Sequence, residues 1–281
     1  MRMTPLGRAL GYLAMILVGI VVVTPLLWLV IMSVSSTRDL TSLPLHWIPQ
    51  RLDFSRYHRL LSLATNSDGQ IFLFALRNTL EVAAGAVVVS FLLAMPAAWL
   101  ISRREGKLDR LLLLVVATYM LPPLLFVVPL YRILSGFSML NSPWGLMIAD
   151  STIVLPFTTW LLKGGIDSIP AELEQAAAID GANLWRIWIM ITLPLARPII
   201  STTILFGVLI VWDEFLYAMI FTSDQSAQTL TVVIADLANG RVSDYGLLAT
   251  AGILAALPPV IIGIFLQRAL VAGLTTGGVK G

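Results

Sequence analysis

Ionisable and amide side chains are scarce in this chain, and those that interrupt its apolar stretches are the first candidates for chemistry. Asn78 and Glu81 stand near the start of one such stretch, Asp150 lies in another, and the adjacent acids Asp213 and Glu214 lie in a third. A charged side chain at the centre of a bilayer costs about 2.5–3.5 kcal/mol on insertion scales, so a retained one invites a functional reading. A carboxylate accepts hydrogen bonds from hydroxyl groups, and Trp212 or Tyr217 beside it offers a ring to cover the apolar face of a sugar. Asp213 and Tyr217 are four residues apart, so an unbroken helix would set them on one face, with Glu214 turned about 100° away toward packing between subunits. Asn78, Trp212, Asp213 and Tyr217 therefore form the candidate ligand pathway, the alternative for each being a polar contact between helices or subunits. Nucleophilic and metal chemistry find no residues to build on. The chain has no cysteine, no histidine lies in an apolar stretch, and His46 and His58 lack a third ligand at metal spacing.

A second group of residues carries a different kind of signal. Ile169 to Trp188 read IPAELEQAAAIDGANLWRIW. Pro170 suits a first helical turn, with Glu172 and Glu174 early, where the helix dipole favours carboxylates. Ala176, Ala177 and Ala178 have high helix propensity and little bulk. Asp180 and Gly181 then break the helix, glycine taking positive φ without penalty. A further amphipathic stretch from Leu184 to Ile191 ends at Leu193-Pro194. The spacing predicts a helix, a tight glycine turn and another short helix. Its small flat alanine face suits docking into a groove on another protein, or the segment is an ordinary interfacial connector.

The elements that must position these residues are membrane spans. Of the 281 residues 58% are hydrophobic and 12% charged, about half the charge share of a soluble domain, and the mean hydropathy is +0.88. Six segments approach the ~20 apolar residues that crossing requires: Leu10–Met32, Phe74–Ile101, Leu111–Leu134, Trp144–Leu162, Ile199–Phe221 and Leu247–Leu266. Pro96 interrupts the second and Pro122-Pro123 the third, which a packed bundle tolerates. The first is too long for the core of a signal peptide and is expected to be retained. The expectation is an all-α integral membrane protein with six transmembrane helices and a single domain over residues 1–281.

Basic residues orient it. Arg103, Arg104, Lys107 and Arg110 crowd one short loop, Lys163, Arg186 and Arg197 follow the fourth span, and Arg268 and Lys280 lie in the tail. The positive-inside rule places these, and with them both termini, in the cytoplasm. Arg38, Arg51, Arg56 and Arg59 fall on the other side, diluted over a long loop where the rule weakens. That loop, with Trp47, Pro49 and Tyr57, is expected to form short interfacial helices. A net charge of +2 without a basic patch excludes nucleic acid as a partner, and lipid is the expected surround.

Gln175-Ala176-Ala177, then Gly181, then Ile191-Thr192-Leu193-Pro194 resembles the EAA loop of binding-protein-dependent ABC importers. Ile179-Asp180-Gly181-Ala182 is similar to the version in the MalG-like sugar permeases. Trp212-Asp213-Glu214-Phe215 and the tail Gly273-Leu274-Thr275-Thr276-Gly277-Gly278-Val279-Lys280-Gly281 are similar to two further motifs of that family. The resemblance implies a type I ABC importer permease fold and a sugar substrate. A coupling loop would span about 164–198, with Glu174, Gln175, Ala176, Ala177, Asp180 and Gly181 contacting an ATPase. Glutamine at 175 replaces the family's glutamate, exchanging a charge-assisted hydrogen bond for a neutral one. The implied partners are a second, MalF-like permease subunit, two ATPase subunits or domains, and an extracytoplasmic sugar-binding protein, in a bacterial or archaeal inner membrane. No phosphate-binding G-x-x-x-x-G-K-[ST] loop occurs, since Gly106-Lys107 is followed by Leu108, so ATP and Mg²⁺ belong to the ATPase partners and this chain is no enzyme. A polyol or glycerol-phosphate permease is the alternative within the class. A secondary transporter would show an inverted repeat, and none is visible.

Overall fold

In the computed structural model of the chain, residues 5–44, 46–65, 67–104, 106, 108–239 and 244–278 are described, and every regular element among them is helical. Arg2, Lys107, Lys280 and the end of the tail motif, Val279-Lys280-Gly281, lie outside the described residues. The order is α1 Pro5–Val34, α2 Thr37–Thr41, α3 Ser55–Leu60, α4 Asp68–Arg103, α5 Asp109–Tyr119, α6 Leu124–Gly136, α7 Pro143–Asp167 and α8 Ala171–Ile179. Then come α9 Leu184–Ile187, a π-helical turn Trp188–Thr192, α10 Leu193–Leu195, α11 Arg197–Trp212, α12 Leu216–Phe221, α13 Leu230–Ala238 and α14 Tyr245–Gly278.

Among the described residues, four helices are long and apolar enough to cross a membrane: α1, α4, α7 and α14. Their counterparts among the expected spans are the first, second, fourth and sixth. Pro96 leaves α4 continuous. At Pro122-Pro123, by contrast, two successive residues lack an N–H, and α5 and α6 meet at 94°. The helical run Leu184–Leu195 likewise meets α11 at 73°, and counting each bent pair as one span gives six. The expected fifth span, Ile199–Phe221, is α11 and α12 separated by an interruption at Asp213–Phe215.

The chain, expected as a single domain, gathers into two compact units. One comprises the residues up to Leu73 together with Val233–Leu257. Here Arg56 is buried, donating from Nε to Asp244 Oδ1 (3.0 Å), from Nη1 to the Ser35 carbonyl (2.5 Å) and from Nη2 to Thr37 Oγ1 (2.8 Å). Gly246 lies so close that a Cβ there would collide with the Arg56 guanidinium. Arg59 pairs with Asp68. Two of the four basic residues that spoil the charge asymmetry are thus structural ion pairs. The apolar stretch of α1 has no part buried, as suits a helix apolar on every side that faces lipid or another subunit.

The second unit runs from Phe74 to Val232 and includes α14 from Pro258 onward. Ala94, Met95 and Ala98 of α4 pack against Leu162 and Ile166 of α7 with Ile169 and Ala196, and Trp99, Trp188 and Ile199 border them. Small residues let helix backbones approach closely. A Cβ on Gly165 would run into Ile199, and one on Gly207 would lie 3.1 Å from Val87. This tight packing at one end of α4 and α7 holds the base from which α8 projects.

Candidate functional site

α8 begins after Pro170 and ends as its sequence dictates. Gly181 sits at φ +84°. Its N–H reaches the Ala178 carbonyl (3.1 Å) and the Ala182 N–H reaches that of Ala177 (3.0 Å), the paired bonds of a Schellman turn. Asn183 then caps α9, its Oδ1 accepting from the Arg186 N–H at 2.8 Å. The second helix runs through the π turn and ends at Leu195, one residue beyond the expected Leu193-Pro194. Pro194 has no N–H to give, and the wider turn preceding it carries the chain past that gap. Gln175, Ala176, Ala178, Asp180 and Gly181 are exposed and Ala177 is half-buried. Ile179, Leu184 and Trp185 stand out from the surface, at 86%, 68% and 70% exposure. Bare apolar side chains on a connecting segment suit contact with lipid or with another protein.

Glu174 is the exception. It is the only buried residue of α8 and lies about 100° around the helix from Gln175. Its carboxylate accepts from Arg103 through Nε to Oε2 and Nη2 to Oε1, both 3.0 Å. Trp99 Nε1 lies 3.3 Å from both oxygens, and Thr192 donates to Oε1 at 2.8 Å. Arg103 also reaches the Ile169 carbonyl (3.3 Å), and Ser102 donates to Asp167 (2.7 Å), itself paired with Lys163. Burial alone would raise the Glu174 pKa, but the Arg103 pair and the Thr192 and Trp99 donors outweigh it and hold the carboxyl below its ordinary value. The expectation that Glu174 joins Gln175 in contacting a partner gives way to an internal anchor, because successive helix residues diverge by about 100° and Arg103 takes the inward one.

The intramembrane candidates do not converge. Asn78 is buried and spends its Nδ2 on the carbonyls of Ser226 (2.7 Å) and Gln228 (3.0 Å), leaving no donor for a ligand. Tyr217 is fully buried against Phe221, its hydroxyl donating to the Pro123 carbonyl at 3.2 Å. Trp212 is buried as well. Asp213 is exposed but does not share a helical face with Tyr217, since α11 ends at Trp212 and α12 begins only at Leu216. Glu214, assigned from sequence to packing between subunits, caps α12: its oxygens accept from the N–H groups of Tyr217 (2.7 Å) and Ala218 (3.0 Å). Asp150 is 1% exposed, and its Oδ1 has no hydrogen-bond partner among the described residues.

Residues 86–276 match the model of the family described as binding-protein-dependent transport system inner membrane component. The chain belongs to this family. The melibiose/raffinose/stachyose import permease protein MelC of Bacillus subtilis is 34% identical over 73% of this chain and 75% of its own. The trehalose/maltose transport system permease protein MalG of Thermococcus litoralis is 29% identical over the whole of both. The diacetylchitobiose uptake system permease protein NgcG of Streptomyces coelicolor is 30% identical over 96% of this chain and 88% of its own. A bacterial ABC transporter that imports the acidic polysaccharide alginate shares the fold, with a TM-score of 0.78 and 21% identity over 96% of this chain and 99% of that one.

As a member of this family the chain is a transport subunit of an inner-membrane system, with the all-helical fold of an importer permease. The sequence reading missed Trp99 and Thr192, which complete the Glu174 anchor, and read Arg103 only as a topology signal. A basic residue closing a long apolar helix, and a threonine within the I-x-L-P segment, were the available signs. Neither identifies a partner until the chain is folded.

Proposed function

We propose that this chain is one of two permease subunits of an ABC importer for a mono- or oligosaccharide, which an extracytoplasmic binding protein delivers. The carrying observation is the exposed surface around the Gly181 turn, where Ile179, Leu184 and Trp185 are uncovered while Glu174 fastens the segment from behind. It coincides with the EAA-like residues Gln175, Ala176, Ala177, Asp180 and Gly181, and it seats in a cleft of a separate ATPase subunit, which supplies the ATP and Mg²⁺ sites. Closure of the ATPase pair displaces α8, and the two permeases alternate between outward and inward opening around the sugar. Arg103, Arg104, Arg110, Lys163, Arg186 and Arg197 support placing this end, and both termini, in the cytoplasm. The sugar assignment draws on the named substrates of MelC, MalG and NgcG.

The test is reconstitution of the complete transporter with its binding protein in liposomes, offered raffinose, trehalose and diacetylchitobiose in turn. ATP-dependent accumulation of one of them, requiring the binding protein, is the expected result. Accumulation that follows an ion gradient without ATP overturns the reading, and stimulation only by a polyol or glycerol phosphate overturns the sugar assignment.

A further inference from the structure

α4 is a single helix of 36 residues fastened at both ends to segments remote in sequence. At one end Trp99 and Arg103 close on Glu174 of α8, and the same end holds the Ile169 carbonyl and Asp167 on the link from α7. Toward the other end, about 37 Å from Arg103 at 1.5 Å per residue, Asn78 donates to the carbonyls of Ser226 and Gln228. Beside it Thr79 accepts from the Leu230 N–H at 2.9 Å. One rod thus connects the exposed turn segment to the chain between α12 and α13.

The nature of the first fastening is unusual for a short helix. α8 has nine residues, and the only one buried is a carboxylate. No apolar side chain of α8 is buried beneath it, and the Glu174 pair is what ties it to α4. An exposed ion pair would hold little, because solvent competes for both charges. This one is sheltered and bidentate, with Thr192 and Trp99 adding donors to the same carboxylate.

We propose that Arg103 and Glu174 are positioning residues of the transport cycle: their sheltered bidentate pair makes α8 and α4 move as one body. Displacement of α8 is then carried along α4 to the Ser226–Leu230 segment. This deepens the reading of α8 as the ATPase-docking helix and rests on it.

The chain contains no cysteine, so spin labels can be placed at Leu80→Cys, beside Asn78, and at exposed Ala178→Cys on α8. Their separation is measured by double electron–electron resonance in the complete transporter, nucleotide-free and trapped with ATP and vanadate. In the parent the distance is expected to stay narrow and to change by no more than about 2 Å, the size of an ordinary interface shift. Arg103→Gln should broaden the distribution severalfold while the complex still assembles and hydrolyses ATP, with Arg103→Lys intermediate. A parent distance that moves by about 5 Å or more, a full helical turn, overturns the proposal. So does an Arg103→Gln distribution as narrow as the parent's. If Arg103→Gln does not assemble, Arg103→Lys keeps the charge without the fork, and a parent-like distribution there overturns the proposal equally. Crosslinking of the Ala178→Cys variant to the ATPase subunit is read on the same otherwise unaltered chain. Its absence refutes docking alone, because the label pair lies within one chain.

Discussion

Gly181 and Glu174 show what single residues contribute. Apart from its chain neighbours, nothing lies within 4 Å of where a Cβ at Gly181 would stand, so its constraint is the backbone at φ +84°. A β-branched side chain there costs about 1–2 kcal/mol, whereas asparagine visits this region readily. Gly181→Val is expected to assemble but to uncouple uptake from ATP hydrolysis, and Gly181→Asn to keep both; equal uptake in the two variants would count against the turn. Glu174 sets a pH dependence. Its folded pKa lies below the ordinary 4.5, so its stabilisation is present above that value and is lost as pH falls through the folded one. The mobility of a spin label at Ala178→Cys should rise on acidification below about 4.5, and Glu174→Gln should be mobile already at neutral pH with a flatter profile. The glycine turn was legible because its chemistry is local. The partition between Glu174 and Gln175 was not, since it depends on Arg103, which only the fold brings near.

Among the elements, those with clean apolar runs were readable and those with breaks were not. α4 and α7 follow from length and composition, whereas Pro122-Pro123, read as an interruption within one span, marks a 94° bend between α5 and α6. The interruption at Asp213–Phe215 was hidden because Asp213 and Tyr217 have helical spacing, while the deciding feature is Glu214 satisfying the first N–H groups of α12. Glu214→Ala should therefore cost about 1 kcal/mol as a lost cap and lower the thermal midpoint of the purified complex, with Asp213→Asn close to parent. Asn78 calls for a similar test. Asn78→Asp sets an acceptor against two carbonyls, each worth about 1–3 kcal/mol when left unpaired. Its thermal midpoint should drop further than that of Glu214→Ala, and an unchanged midpoint would dissolve the clamp on Ser226 and Gln228.

For the whole molecule, membrane residence and the exposed turn segment were both visible in composition and pattern, because lipid and partner surfaces leave apolar residues uncovered. The division into two units was not, since the first joins segments far apart in sequence, such as those that carry Arg56 and Asp244, 188 positions apart. We propose that a separate ATPase subunit drives this permease through the surface around Gly181. Single cysteines at Gln175, Ala178 and Ile179, all exposed, and at Thr192, which is fully buried, test it directly in the cysteine-free chain. With cysteines introduced along the cleft of the ATPase subunit, the three exposed positions should crosslink in the assembled complex and Thr192 should not. Absence of crosslinks from all three exposed positions, or equal crosslinking from Thr192, would contradict the claim.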